Sequence, residues 1–255
     1  MGCFAGSGGH NKIVPGANSQ FGIEHVEDRR FLDAVANYVQ AAGWKYVNCS
    51  DEVGTTKTAV WSNAANNHLR VKDSDVDLQF HLNATPGGTG CEVWLHPSYG
   101  NRELAAKISK AMADAFGLKD RGIKFSTDLG WINKTKTGLL PEICFIDNET
   151  DMQKYRANFD KAAKAVAEVI VGKSIQSSGT SQPTPPAKQN IIQTGAFSPY
   201  EVPDTMGALT SLKMTADFKL QSDGLTYFVT YPTSDAQLKG MTDWLDRKEW
   251  WYEVK

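Results

Sequence analysis

The chain has 255 residues, of which 41% are hydrophobic, 22% charged and 10% aromatic, enough for one large hydrophobic core or two modest ones. Its 27 Lys and Arg against 29 Asp and Glu leave a formal charge of -2, so it carries no electrostatic footprint for nucleic acid or an anionic membrane surface. Charged residues interrupt every apolar stretch well short of the roughly 18 residues a spanning helix needs, and residues 1–15 lack the basic start and apolar block of a secretory signal. These features predict a soluble protein made in a cytoplasm, with no nucleic-acid partner and no membrane insertion.

Leu32, Val35, Ala36 and Val39 recur at helical spacing before Gly43, which predicts a helix that stops there. Strands are expected over 44–49, 76–82 (VDLQFHL) and 91–95 (CEVWL). Leu104, Ile108, Met112 and Phe116 share one face of a helix over 101–116. Further strands are expected over 129–132 and 139–146, and Met152, Tyr155, Phe159, Ala163, Val166 and Ile170 form the stripe of a last helix. This alternation predicts an α/β domain, a twisted mixed sheet flanked by helices. The four cysteines, Cys3, Cys49, Cys91 and Cys144, show no CxxC pairing and read as small core hydrophobes in a reducing compartment.

Residues 173–189 (KSIQSSGTSQPTPPAKQ) are dominated by Ser, Thr, Gln, Pro and Gly and read as a linker. It separates a domain over 1–172 from one over 190–255. In the latter, a strand over 190–198 and a helix over 203–216 precede two strands, 218–221 and 225–231, around Ser222-Asp223-Gly224, a hairpin signal. A helix over 234–248 and a strand over 250–254 follow. The order βαββαβ predicts a small α+β, ferredoxin-like domain.

Four residues stand out chemically. His10 follows Gly6-Ser7-Gly8-Gly9, and His81 ends a buried-looking strand, where open α/β sheets place their sites. Neutral imidazole there is a natural metal ligand, though each His taken alone reads more readily as a structural, hydrogen-bonded residue. Glu24 opens the first helix, a position that also complements the helix dipole. Glu142 sits in an apolar strand between Pro141 and Ile143, where a carboxylate is costly unless paired, metal-bound or catalytic. Three N/O ligands with an open position suit a catalytic zinc, and a further carboxylate moves the protons. His10, Glu24, His81 and Glu142 make such a set. The chain has no HExxH, which excludes a helix-borne metalloprotease site. His25, His68 and His96 match no pattern and read as solvent-facing or structural.

The pattern Gly9-His10, Glu24 at a helix start, His81-Leu82-Asn83-Ala84, Gly90-Cys91-Glu92-Val93-Trp94, Arg121-Gly122-Ile123-Lys124 and Glu142-Ile143-Cys144-Phe145-Ile146-Asp147-Asn148 resembles the zinc-dependent N-acetylmuramoyl-L-alanine amidases of the Amidase_3 family over nearly all of 1–172. The resemblance implies one zinc ion per catalytic domain, held by His10, Glu24 and His81, with Glu142 as the catalytic glutamate. Glu27 is a rival for Glu24, whose distance to Gly43 fits the family better. It also implies hydrolysis of the amide joining the lactyl group of N-acetylmuramic acid to L-alanine in peptidoglycan. Two departures stand out: Asn11 follows the first ligand, where Gly is common, and the opening strand is short and Gly-rich. Asn83, Trp131 and Asn133 are candidate substrate contacts, though the last two read more readily as core and turn residues.

Residues 191–198 (IIQTGAFS) resemble the opening strand of SPOR-type domains, which bind bacterial cell walls. Tyr231, Trp244, Trp250, Trp251 and Tyr252 cluster near the C-terminus and are candidate wall contacts, because flat aromatic faces pack on sugar rings. One of Trp250 and Trp251 should be buried, since neighbours on a strand point to opposite faces. An amidase linked to a wall-binding module without a signal peptide has the layout of a phage endolysin from a Gram-positive host. Such a protein is made in the host cytoplasm, needs a holin for access, and takes peptidoglycan, with a secondary wall polymer, as its partner. The alternatives are a zinc peptidase cutting the stem peptide or cross-bridge, and an inactive wall-binding protein.

Overall fold

The computed structural model describes residues 2–175 and 190–255, and the chain divides into two compact units, Met1–Ser177 and Ser178–Lys255. Most of the expected linker, residues 176–189, lies outside the described residues.

The first unit runs β1 (Cys3–Gly8), β2 (Asn18–Ser19), β3 (Gly22–Ile23), α1 (Glu24–Ala41), β4 (Lys45–Asn48), α2 (Lys57–Arg70), β5 (Val76–Asn83), β6 (Cys91–Leu95), α3 (Arg102–Phe116), β7 (Asp120–Phe125), α4 (Gly130–Thr135), β8 (Leu139–Phe145), α5 (Glu149–Ala157) and α6 (Phe159–Val171). Six strands form one sheet in the order β4-β1-β5-β8-β6-β7. Pairing is parallel from β4 through β8, antiparallel between β8 and β6, and parallel again between β6 and β7. The sheet is therefore mixed, as the alternation of elements predicts.

Its two faces are used differently. Phe4, Leu78, Phe80, Leu82, Val93 and Ile143 pack with the apolar stripes of α1, α3 and α6 into the main core. Phe31 of α1 is central there, fully buried, with its ring 5.4 to 6.3 Å from those of Phe80, Phe116, Tyr155 and Phe159. On the opposite face Leu140 and Trp94, register partners on β8 and β6, meet a smaller cluster from α2 and α4: Ala64, Ala65, Trp131 and Ile132. Side chains alternate along a strand, so Gln79, His81, Glu92 and Glu142 share this second, thinly covered face.

Three readings of the sequence need correction. Residues 129–132, expected as a strand, start helix α4; a four-residue apolar run cannot be told from a helix turn by periodicity. The expected last helix is two, because Asn158 leaves the helical region at φ -120°. Helix α2 and edge strand β7 were not expected. The former buries mainly small residues (Ala64 and Ala65), and the latter carries Asp, Arg, Gly and Lys along a mostly half-exposed strand. All four cysteines are buried and free, in keeping with a core role. No helix among the described residues is long and apolar enough to cross a membrane.

The second unit runs β9 (Ile192–Thr194), a single 3-10 turn, α7 (Val202–Ser211), β10 (Ala216–Leu220), β11 (Thr226–Thr230), α8 (Asp235–Arg247) and β12 (Tyr252–Val254). The antiparallel sheet order β10-β11-β9-β12 is that of a ferredoxin-like βαββαβ unit. Gly224 supplies a φ of +83° at the β10–β11 turn, and a capping box between Ser234 and Gln237 starts α8. Trp250 precedes the last strand, half-buried and stacked on Phe197 at 4.5 Å with Trp244 edge-on at 5.6 Å, whereas Trp251 is 64% exposed. The expected strand over 250–254 begins only at Tyr252, so strand alternation does not govern the pair, and Trp250 is half-buried rather than buried.

Truncating the central ring, Phe31→Ala, should cost about 3–5 kcal/mol. Urea unfolding of the first unit measures it, and a loss below about 1 kcal/mol would show that α1 is not anchored there.

A candidate metal centre and its cavity

Three segments bring donor atoms together. His10 follows β1 in a bend where the Gly9 N–H donates to the Phe80 carbonyl (2.9 Å) and to Asp28 Oδ2 (3.0 Å). Glu24 begins α1, and its carboxylate accepts from the N–H of Ala17 at Oε2 (2.7 Å) and of Leu82 at Oε1 (3.2 Å). Those oxygens lie 3.3 Å from His10 Nε2 and 3.0 Å from His81 Nδ1, His81 standing on β5. One ligand atom from each of His10, Glu24 and His81 falls within 4.8 Å of the others. Two imidazoles and a carboxylate fit zinc with one coordination position left open.

Close backbone approach makes this convergence possible. A Cβ on Gly9 would lie 1.9 Å from His81 Cε1, and one on Gly16, at φ +76°, would lie 2.4 Å from Glu24 Oε2. Asn11 is fully buried and ties the loop after His10 in place. Its Oδ1 accepts from the N–H groups of Ile13 and Val14, and its Nδ2 donates to Asp51 and to the Gly54 carbonyl. Here the side chain of Asn11, a departure noted in the sequence, does the work of a loop brace.

Glu142 sits beside the cluster. It is the register partner of His81 on β5 and of Glu92 on β6, so the three side chains form one row across the sheet. Glu92 is buried but satisfied, accepting from Arg121 Nε (2.6 Å), Trp94 Nε1 (3.0 Å) and Asn83 Nδ2 (3.1 Å). Oε2 of Glu142 is buried with no protein partner among the described residues.

Electrostatics separates the carboxylates. Burial pushes the Glu24 carboxyl up, but hydrogen bonding to His10 and His81 and their charge outweigh it and hold it well below the usual range. Burial raises Glu142 well above that range, and the charges of Glu24 and Glu92 add to it. Burial lowers His81, and its contact with Glu24 opposes that. One carboxylate is thus a fixed anion and another a proton acceptor of raised affinity, the separation that acid–base chemistry requires.

These groups line a cavity of about 370 Å³ walled by Val60 and Trp61 of α2 and by Leu129 and Trp131 at α4. Asn83 and Gln79 also line it. Trp131 is 1% exposed, and its Nε1 has no protein partner among the described residues. Asn133 is exposed on α4, accepts from Lys136 Nζ (2.7 Å) and is not part of the lining. Glu27, one turn beyond Glu24, is held by Arg30 and Tyr155 rather than joining the cluster. The α2 wall escaped the sequence reading; its signals were the Thr56 N-cap, accepting from Ala59, and the four-residue spacing of Val60, Ala64 and His68.

Comparison with known proteins places both units. The family model described as N-acetylmuramoyl-L-alanine amidase, Amidase_3, matches residues 6–171. The model described as PlyG Cell wall binding domain matches residues 211–254, a stretch that does not include the SPOR-like residues 191–198. The solved catalytic domain of CD27L endolysin targeting Clostridia Difficile is 24% identical, covers 69% of this chain and 100% of its own, and superimposes with a TM-score of 0.57. A solution structure of the PlyG cell wall binding domain is 74% identical over 31% of this chain and 94% of its own, with a TM-score of 0.27. An endolysin of Bacillus phage SPP1 is 33% identical over 86 residues, 31% of each chain. The chain spans about half the length of the Clostridium perfringens relatives it matches, 51% and 44% of them.

A Gly9→Ala variant tests the close approach. The added methyl must displace the His81 ring, so zinc affinity measured by calorimetric titration should fall at least tenfold, the scale seen when a metal ligand loses its support. Wild-type affinity in that variant would contradict the geometry.

Proposed function

The chain belongs to the Amidase_3 family of N-acetylmuramoyl-L-alanine amidases, and on that premise we propose that it hydrolyses the amide between N-acetylmuramic acid and L-alanine in Gram-positive peptidoglycan, using one zinc ion held by His10, Glu24 and His81. The observation that carries this reading is the convergence of those three side chains beside a buried carboxylate oxygen, Glu142 Oε2, that no group among the described residues satisfies.

A zinc ion bound there supplies Lewis acidity toward the lactyl carbonyl and makes water a stronger acid. Glu142 is the general base: its Oε2 accepts the proton of the attacking water and returns it to the alanine nitrogen as the C–N bond breaks. Its raised proton affinity suits the second task as much as the first. Trp61, Val60 and Trp131 keep the cavity apolar on one side. Asn83 acts at one remove by holding Glu92. Asn133, turned away on α4, is the weakest candidate of the three.

The pairing of an amidase family match with a PlyG wall-binding match supports an endolysin of a phage with a Gram-positive host, and relatives that bear that name agree with it. On this reading 1–172 is catalytic, 173–189 a linker and 190–255 the anchor. The protein is made in the host cytoplasm, reaches the wall through a holin-opened membrane, and binds peptidoglycan together with a secondary wall polymer. Tyr231 (52% exposed) and Trp251 are the exposed aromatic contacts, whereas Trp244, Trp250 and Tyr252 are half-buried against the small core. Anchoring holds the catalytic unit at high effective concentration near an insoluble substrate.

Digestion of purified Gram-positive walls should release new amino-terminal alanine with no new reducing sugar ends. A different liberated amine would move the cut to a peptide bond, and an inert zinc-loaded protein would favour a binding-only role. Glu142→Gln should keep zinc and lose at least about a hundredfold in rate; near-normal lysis by that variant would remove Glu142 as the base.

The pH dependence has a definite sign. Glu142 must be ionised to accept a proton, so the rate rises as pH climbs through its raised pKa. The Glu92 anion favours protonated Glu142, and Glu92→Gln should therefore move the acid limb of the pH–rate profile to lower pH. A limb that stays put or moves upward would show that the row does not tune the base.

A further inference from the structure

We propose that Asp77, His68, Ser7 and Gln79 form a positioning relay that fixes the tautomer of His81 and presents its Nδ1 to the metal, an inference that rests on the zinc reading above. The relay runs along the thinly covered face of the sheet. Asp77 Oδ1 lies 2.8 Å from His68 Nδ1, and His68 Nε2 lies 2.9 Å from Ser7 Oγ. Gln79 Nε2 lies 3.3 Å from Ser7 Oγ, and Gln79 Oε1 lies 3.1 Å from His81 Nε2. Ser7 and Gln79 are register partners on β1 and β5.

Donor and acceptor chemistry gives the relay one direction. A carboxylate only accepts, so His68 carries its hydrogen on Nδ1 and, as a neutral ring, accepts at Nε2. Ser7 then donates its hydroxyl hydrogen to His68 and has lone pairs left for Gln79. The Gln79 amide donates through Nε2 and turns Oε1 toward His81. That oxygen can only accept, which places a hydrogen on His81 Nε2. Nδ1 is left with its lone pair 3.0 Å from Glu24 Oε1, itself an acceptor. Two lone pairs at that distance repel unless a cation lies between them, either the metal or, without it, the proton through which His81 hydrogen-bonds to Glu24.

Water has little access to disturb the order. Ser7 is 0%, Gln79 1% and His68 2% exposed. Ser74 Oγ donates to the second oxygen of Asp77 at 2.7 Å, and the Trp131 ring meets His68 edge-on at 5.0 Å. Ser7, His68 and Asp77 follow the order of a nucleophilic triad, but Ser7 is sealed in β1 and does not line the cavity, so the triad orients rather than attacks. The other imidazole has no such brace: His10 Nδ1 lacks a protein partner among the described residues. The relay is thus specific to one ligand, in the way that outer partners commonly set a ligand's tautomer and basicity.

The test uses the full zinc-loaded chain, labelled with nitrogen-15. Two-bond proton–nitrogen correlations should show His81 protonated at Nε2 and metal-bound at Nδ1, and that signature needs no variant. Gln79→Ala should weaken zinc binding about 10- to 100-fold and let the His81 Nε2–H exchange rapidly, while Gln79→Glu, which keeps an acceptor, restores affinity. His68→Gln should cause a smaller loss with an unchanged thermal transition. Ligation through Nε2, or a folded Gln79→Ala that binds zinc as the natural chain does, overturns the relay and leaves the zinc site standing. A natural chain that binds no zinc overturns both.

Discussion

The cavity depends on one constraint: the carboxylate of Glu24 must stay ionised although it is almost fully buried. A buried anion is stable only when hydrogen bonds and opposite charge replace its water. Here two backbone N–H groups, from Ala17 and Leu82, and two imidazoles do so. Ala17 belongs to the loop after β1 and Leu82 to β5, so the carboxylate joins the start of α1 to the centre of the sheet. The packing of Phe31 two turns further on fixes α1 against that sheet, and core and site therefore share one rigid body. A slip of α1 would cost apolar contacts and strand the anion together.

The sheet's asymmetry explains why chemistry collects on one side. The α1, α3 and α6 face is filled mainly with large apolar residues. The other face is covered only by α2 and α4, through Ala64, Ala65 and Ile132, and there β5 and β8 present Asp77, Gln79, His81 and Glu142. Polar residues in a sheet interior survive where they are partnered, a condition that Ser7 and Gln79 meet and that Glu142 Oε2 does not among the described residues. Glu92 and Glu142, like charges side by side, would repel. Arg121 pairs with Glu92, while Glu142 answers burial first, and then the charges of Glu24 and Glu92, by holding its proton more tightly.

Much of this was legible in the residues. The strands carrying His81 and Glu142 are strongly apolar runs, and the polar residue within each run is itself the signal, because no packing role explains it. The βαββαβ order of the second unit follows from well-spaced strand and helix patterns and an Asp-Gly turn. What escaped shares a physical cause. Helix α2 buries alanines and a histidine, whose small transfer energies leave a faint periodicity, and four residues of α4 fit either backbone geometry. The relay was illegible because it lies across β1, β5 and α2: Ser7, His68 and Asp77 become neighbours only through strand register, and His68 alone reads as an ordinary structural histidine.

The second unit meets its size limit by assigning aromatic residues to different tasks. A unit of this length has few positions with which to build a core, and its cluster counts on Phe197, Phe228 and the half-buried Trp244 and Trp250. Those rings cannot turn outward without opening the core. Trp251 can stay exposed because its neighbour carries the packing, and Gly195, whose N–H donates to the Trp251 carbonyl at 2.7 Å, fixes the backbone beneath it. For the wall contact proposed at Trp251, a backbone held in this way would lower the entropy lost on binding.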